Sequence, residues 1–306
     1  MCPFYHHFEV LIGTLEKPTE YILKSSSEVW EITCGGDNAR QCHHTKFILK
    51  NHKNDNLAGS TPFWHAMKLL FVMDLTKSYL NSFYSYQYLE KYSILKIPTV
   101  YDVLEGSNSC AIALEKIDAV AMSIKDVNRS NIERFSRFLA GLHQQKVDRF
   151  GVIEPLQKDF DCIEDLTWHE RLALTITTLA GGRNIDSTYV NKSLELLQAV
   201  RIKKIVPLMM DLRWDQFALK KGDLVGVFDL DAFVFAPIEL DYVILEYLLP
   251  VEQVQYFYNE YFSITGQSIQ ITGEQRFVYR VLFYLMNALG ETDFEKWMAQ
   301  PELFVS

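Results

Sequence analysis

Hydrophobic and polar positions change their period part-way along the chain. Over residues 28–33 (Glu-Val-Trp-Glu-Ile-Thr) polar and apolar side chains alternate, as in a strand with one buried face. Residues 21–24 and 45–50 also read as strands, and the Cys-Gly-Gly-Asp-Asn cluster at 34–38 is a turn. The spacing therefore predicts an antiparallel hairpin with a long loop over this part of the chain. Residues 51–60 are polar and loop-like. From 63 to 80, and again from 83 to 92, apolar residues recur at helical spacing, and Pro62 suits a first helical turn. Residues 97–104 and 110–114 return to strand on either side of a turn at 105–109.

From residue 123 onward the period is mostly helical. Residues 131–144 carry Ile132, Phe135, Phe138, Leu139 and Leu142 on one stripe, and 166–179, 190–200 and 275–289 read as further helices. A strand-rich island at 205–235 interrupts them, and helices resume at Glu239. The pattern predicts an α+β chain with a strand-rich N-terminal unit and a larger helical C-terminal part. The boundary falls near 115–123, giving units 1–118 and 119–306.

Composition narrows the function classes. Hydrophobic residues make up 48 % of the 306, enough for a large packed core, and no apolar run approaches the length of a membrane span. The formal net charge of -9 and the absence of a Lys/Arg block argue against a nucleic-acid partner. Five cysteines (Cys2, Cys34, Cys42, Cys110 and Cys162) are odd in number and irregular in spacing, which fits a reducing compartment. The N-terminus lacks a basic stretch followed by an apolar run. Together these predict a cytoplasmic protein with no membrane partner. Cys34, Cys42, His43 and His44 cluster, but not at a recognised zinc spacing.

The chemistry concentrates at 208–231. Two short apolar strands, 217–219 and 225–228, flank a tight turn, with Asp211 before the first strand and Asp229 and Asp231 at the end of the second. In an antiparallel hairpin these outer ends meet, so three carboxylates can converge. Such a cluster repels itself unless protons or a cation intervene, and hard cations such as Mg²⁺ choose oxygen ligands of this kind. The alternative is that the aspartates cap turns and helix starts.

The stretch resembles the catalytic loop and metal motif of the aminoglycoside phosphotransferase and choline kinase family. That loop runs His-Gly-Asp, four residues, Asn, and is followed by a hairpin and an Asp-x-Asp/Glu motif. Asp211 falls on the catalytic aspartate, Gln216 on the asparagine, and Asp229 and Asp231 on the metal motif. Leu139-Ala140-Gly141-Leu142-His143 with Phe150-Gly151, Phe47-Ile48-Leu49-Lys50 and Ile97-Pro98-Thr99-Val100 are similar to further family segments in the same order. The resemblance implies a two-lobed protein-kinase-like fold, with a small antiparallel-sheet N-terminal lobe and a larger helical C-terminal lobe carrying a catalytic hairpin at 208–231. It implies ATP and Mg²⁺ as cofactors and a small-molecule hydroxyl acceptor. Lys50, Ser26, Ser27 and the backbone of Glu115 and Ile117 would hold the nucleotide. Asp211 would be the catalytic base, and Asp229, Gln216 and Asp231 would serve the metal. His143 would be a structural histidine.

Three departures set this chain apart. Met209 stands at the histidine of the loop, and Gln216 replaces asparagine. No glutamate lies where the helix partner of Lys50 is expected, Glu90 being the nearest and in poor register. These departures leave open a kinase-fold protein that binds a nucleotide or a partner without turnover.

Overall fold

In the computed structural model the described residues are 19–21, 28–33, 46–53, 61–73, 78–105, 109–153 and 166–304. Strands β1 (Thr19–Tyr21), β2 (Glu28–Thr33), β3 (Lys46–Lys53), β4 (Val100–Glu105) and β5 (Ser109–Glu115) form one antiparallel sheet, ordered β1-β2-β3-β5-β4. Strand β3 is central, with Lys50 between Val29 of β2 and Ile112 of β5. Alternate residues of a strand share a face, and directly opposed residues share it too. Lys50 therefore lies on the face that carries Ile112 and Leu114, both part of the main hydrophobic core.

Two helices follow β3. Helix α1 (Pro62–Phe71) starts as expected, with Pro62 in its first turn and Thr61 accepting the Trp64 N–H. The periodicity extended this helix to residue 80, but it ends at Phe71. Val72 turns left-handed (φ 59°); its N–H returns to Lys68 O, and the Met73 N–H returns to Met67 O. Helix α2 (Ser78–Tyr92) takes up residues 78–80 instead. It buries Tyr79, Ser82, Tyr86 and Leu89 and lies beside β4, β5 and a later strand.

The larger part is helical. It comprises α3 (Arg129–His143), α4 (Trp168–Ala180), α5 (Ser187–Leu196), α6 (Glu239–Leu248), α7 (Val254–Thr265), α8 (Gly273–Met286) and α9 (Phe294–Met298). The stripe predicted on α3 is buried throughout. Its last residue, His143, is buried between the Tyr261 hydroxyl (2.9 Å from Nδ1) and Asp241 (2.9 Å from Nε2). That is the structural role expected of it. Among the described residues no helix is long and apolar enough to cross a membrane. Cys110 is buried, and the other four cysteines lie outside the described residues, as do His43 and His44.

Two small sheets sit between the strand-rich and helical parts. One is ordered β10-β9-β6, from β6 (Val120–Ala121), β9 (Phe217–Lys220) and β10 (Asp223–Val227). The other is ordered β7-β11-β8, from β7 (Gly151–Val152), β8 (Ile205–Met209) and β11 (Phe233–Pro237). The hairpin β9–β10 closes with a two-residue turn, Lys221 (φ 56°) and Gly222 (φ 87°). Both residues are left-handed, the geometry that matches the twist of paired strands. Asn131 of α3 pins the turn by donating to Gly222 O and accepting from Leu224 N.

Candidate active site

Two ladders bring the acidic residues together. Strand β8 pairs with β11 as far as Met209 opposite Phe233, and the Met210 N–H reaches Ala232 O (3.0 Å), which sets Asp211 beside Asp231. Strand β9 pairs with β10 with Phe217 opposite Val227, and the Phe228 N–H reaches Gln216 O (2.8 Å), which brings Gln216 alongside Asp229. Convergence thus follows from two short antiparallel ladders of largely buried strands, which fix the register on both sides of the cluster.

Lys50 faces the cluster from β3. Its ammonium donates to Asp229 Oδ1 (2.8 Å) and to Asp231 Oδ2 (3.3 Å). The lysine is 8 % exposed, whereas the side chains of Asp229 and Asp231 are 35 % and 13 % exposed. Ser82 of α2 donates to the other oxygen of Asp231 (3.0 Å), and Tyr86 donates to Phe228 O (3.2 Å). The Gln216 amide donates to Asp211 Oδ2 (3.1 Å). Asp211 Oδ1 is buried without a hydrogen-bond partner among the described residues.

Burial and charge set the protonation of these groups. Burial pushes the Asp211 carboxyl up to about 8; Asp229 adds to the rise and Arg213 opposes it. Burial also pushes Asp231 up, to about 7, with Asp229 adding and Lys50 opposing. For Asp229 burial acts in the same sense, but the Lys50 ammonium outweighs it and holds the carboxyl below its ordinary value. Lys50 is the mirror case: burial works against its charge, and Asp229 and Asp231 together raise it well above the usual lysine range. The site thus carries one firmly ionised pair and two carboxyls that burial holds above the ordinary range.

The structure brings Lys50, Asp211, Gln216, Asp229 and Asp231 into one place. Ser26 and Ser27 lie outside the described residues. Glu115 ends β5 with its carboxylate bound by Lys96 and by the N–H and hydroxyl of Thr99. Its backbone N–H is engaged by Thr99 O (2.8 Å), and Ile117 O accepts from Ala119 (2.9 Å). Glu90 is exposed, so no glutamate of α2 reaches Lys50. Sequence reasoning passed over Ser82 and Tyr86. The signal was present, since 79, 82, 86 and 89 share one helical face, and a serine on such a face needs a partner. It also passed over Arg213, whose guanidinium acts on Asp211 while pairing with Asp215 (3.0 Å).

A strap joins the site to the strand-rich part. The Lys96 N–H donates to Val225 O and Lys96 O accepts from Val227, across Gly226. A Cβ on Gly226 would lie 2.9 Å from Lys96 O and 3.2 Å from Ile117 Cδ1, so only glycine allows this approach.

No protein-family model and no curated protein matches the sequence. Solved structures do. A fructosamine-3-kinase-like protein from Haemophilus somnus 129PT is 14 % identical, with a TM-score of 0.59 over 97 % of this chain and 96 % of that one. A thermostable variant of aminoglycoside phosphotransferase APH(4)-Ia, in ternary complex with AMP-PNP and hygromycin B, is 14 % identical, with a TM-score of 0.58 over 96 % and 94 %. Macrolide 2'-phosphotransferase MphH from Brachybacterium faecium is 12 % identical, with a TM-score of 0.56 over 96 % and 99 %. At this identity the likeness is one of architecture, and it runs nearly the whole length of each chain. With its small antiparallel sheet, its larger helical part and the two-ladder acidic cluster between them, the chain has the kinase-like fold of the aminoglycoside phosphotransferases.

Proposed function

We propose that this chain transfers the γ-phosphoryl group of ATP to a hydroxyl of a small molecule. The observation that carries the reading is the buried Lys50 set against Asp229, with Asp211 held by Gln216 in the same cluster. In this reading the lobes divide near residue 118, the nucleotide enters between them, and the protein works in the cytoplasm, where ATP is supplied.

The donor set suits Mg²⁺. The Asp229 carboxylate and the Gln216 amide oxygen are hard oxygen donors, with Asp231 beside them. Among the described residues no group of three or more His, Cys, Asp or Glu is arranged to hold a metal alone. Mg²⁺ bound with nucleotide needs only one or two carboxylates, because phosphate oxygens and water complete its shell. When bound, it neutralises charge on the phosphate oxygens. Lys50 holds a phosphate oxygen with its ammonium. Asp211 receives the acceptor hydroxyl at Oδ1, the oxygen without a partner, while Gln216 fixes Oδ2. As the acceptor oxygen bonds to the γ-phosphorus, its proton passes to Asp211 and the bond to the β-phosphate bridge breaks, releasing ADP. A carboxyl raised to about 8 suits a group that must accept that proton.

The test is turnover by Asp211→Asn against a panel of amino sugars, choline-like amines and sugars, with ATP hydrolysis in their absence as a baseline. The reading predicts loss of transfer and hydrolysis by about 100-fold or more, with the fold and Mg²⁺-dependent nucleotide binding retained. A kinase-fold binder without turnover predicts that Asp211→Asn changes nothing measurable.

A further inference from the structure

A buried ammonium needs a partner at all times, and the two partners of Lys50 are not equivalent. Asp229 is the more open of the two, and its Oδ1 takes both the Lys50 ammonium and the Asp231 N–H (3.3 Å). Asp231 is the more enclosed, and both its oxygens are held: Oδ2 by Lys50 and Oδ1 by Ser82 of α2. Helix α2 presents no carboxylate to Lys50. It is tied to the 228–231 segment by two neutral donors one turn apart, the Ser82 hydroxyl to Asp231 and the Tyr86 hydroxyl to Phe228 O. Among the described residues Asp229 and Asp231 are the only carboxylates in ion-pair range of Lys50.

We propose that Asp231 is a positioning residue rather than a metal ligand: anchored to α2 by Ser82, it holds the Lys50 ammonium where a nucleotide phosphate arrives and leaves Asp229 for the cation. The inference rests on the phosphotransferase reading for the roles of Lys50 and Asp229. It replaces the helix-borne glutamate missing from α2 with an acid from the 228–231 segment, and it assigns Ser82 a purpose. The geometry divides the work. A carboxylate whose two oxygens are held, one by a hydroxyl and the other by an ammonium, is costly to turn toward a cation, whereas Asp229 has a free Oδ2 among the described residues and is a third open to solvent.

The test begins on ligand-free protein. Melting temperatures of Lys50→Met, Asp231→Asn and the double variant form a cycle, and a partnership predicts strongly non-additive losses. Ser82→Ala should act in the same direction as Asp231→Asn but less, and Ser82→Thr, which keeps the hydroxyl, should restore the wild-type value. Additive losses overturn the proposal whatever the protein binds. ADP affinity is then measured by calorimetry in EDTA, and Mn²⁺ affinity of the ADP complex by electron paramagnetic resonance. Asp231→Asn should weaken metal-free ADP binding about tenfold, the loss of one well-placed charged contact, and leave Mn²⁺ affinity within about twofold. Asp229→Asn should do the reverse. A tenfold or greater loss of Mn²⁺ affinity in Asp231→Asn makes it a metal ligand and overturns the proposal. If Asp229→Asn leaves Mn²⁺ affinity intact, or ADP does not bind at all, the phosphotransferase reading fails, while the ligand-free cycle still decides the Asp231–Lys50–Ser82 linkage.

Discussion

Replacing Lys50 with methionine isolates the electrostatics of the site. The change keeps length and apolar stem but removes the charge that faces Asp229 and Asp231. Removing one partner of a buried pair costs about 3–5 kcal/mol when the other stays charged and dry. Here the loss is smaller, because Asp229 is 35 % exposed and both acids can take up a proton. About 1–3 kcal/mol at pH 8.5 is expected, or about 2–6 °C in Tm for a chain of this size. The pH dependence follows from the directions of the shifts. In the wild type Asp229 is depressed, so its contribution is present above the ordinary carboxyl range near pH 4 and lost as pH falls through its lower folded value. Lys50 is raised, so its contribution is complete below its unfolded value and lost only at higher pH than that. Without Lys50, burial raises both acids, and the variant loses stability as pH climbs from about 4. Asp231, at about 7 even beside Lys50, is protonated at pH 5. The difference in Tm between wild type and Lys50→Met, read by calorimetry at pH 5 and pH 8.5, should therefore widen with pH. An equal loss at both values, or a more stable variant at pH 8.5, would mean that Lys50 does not offset the charge of the two buried acids.

Gln216→Asn shortens the arm that holds Asp211, and loss of that hydrogen bond, about 1 kcal/mol, should cut turnover roughly fivefold or more; unchanged or faster turnover would show that Asp211 does not depend on Gln216. Asp229→Asn should abolish the Mg²⁺-dependent part of nucleotide stabilisation in thermal shift, and an undiminished Mg²⁺ effect would remove Asp229 from the cation site. Gly226→Ala drives a Cβ to 2.9 Å from Lys96 O, which two strand hydrogen bonds hold in place. Denaturant unfolding should show about 1–3 kcal/mol of lost stability, and a neutral result would mean that the strap can move aside.

Much of the architecture could be read from periodicity, because long amphipathic stretches leave little choice. The stripe of α3 and the β9–β10 hairpin appear where Ile132 to Leu142 and the Lys221-Gly222 turn place them. The break at Val72 could not be read, since a β-branched residue in the left-handed region is set by capping and packing rather than by its own preference. Strand β11 was covered only as the end of the strand-rich island and not bounded on its own, because its five residues are all buried and show no alternation. At the site the aspartates were legible through their spacing around a hairpin. Their partners Ser82 and Tyr86 come from a helix about 150 residues earlier in the chain, and no local pattern links such positions. Arg213 was hidden for another reason: a charged residue next to a turn is ordinary, and only the buried neighbour Asp211 gives it meaning.

The most direct test of the phosphotransferase account is a crystal structure with AMP-PNP and Mn²⁺, the metal located by its anomalous signal. The account predicts a peak at the Asp229 carboxylate, bridged to phosphate oxygens, with Lys50 on the phosphates and Asp211 Oδ1 facing the γ-phosphoryl group. A nucleotide bound elsewhere, or a metal remote from Asp229 with Lys50 still closed on both aspartates, would contradict it.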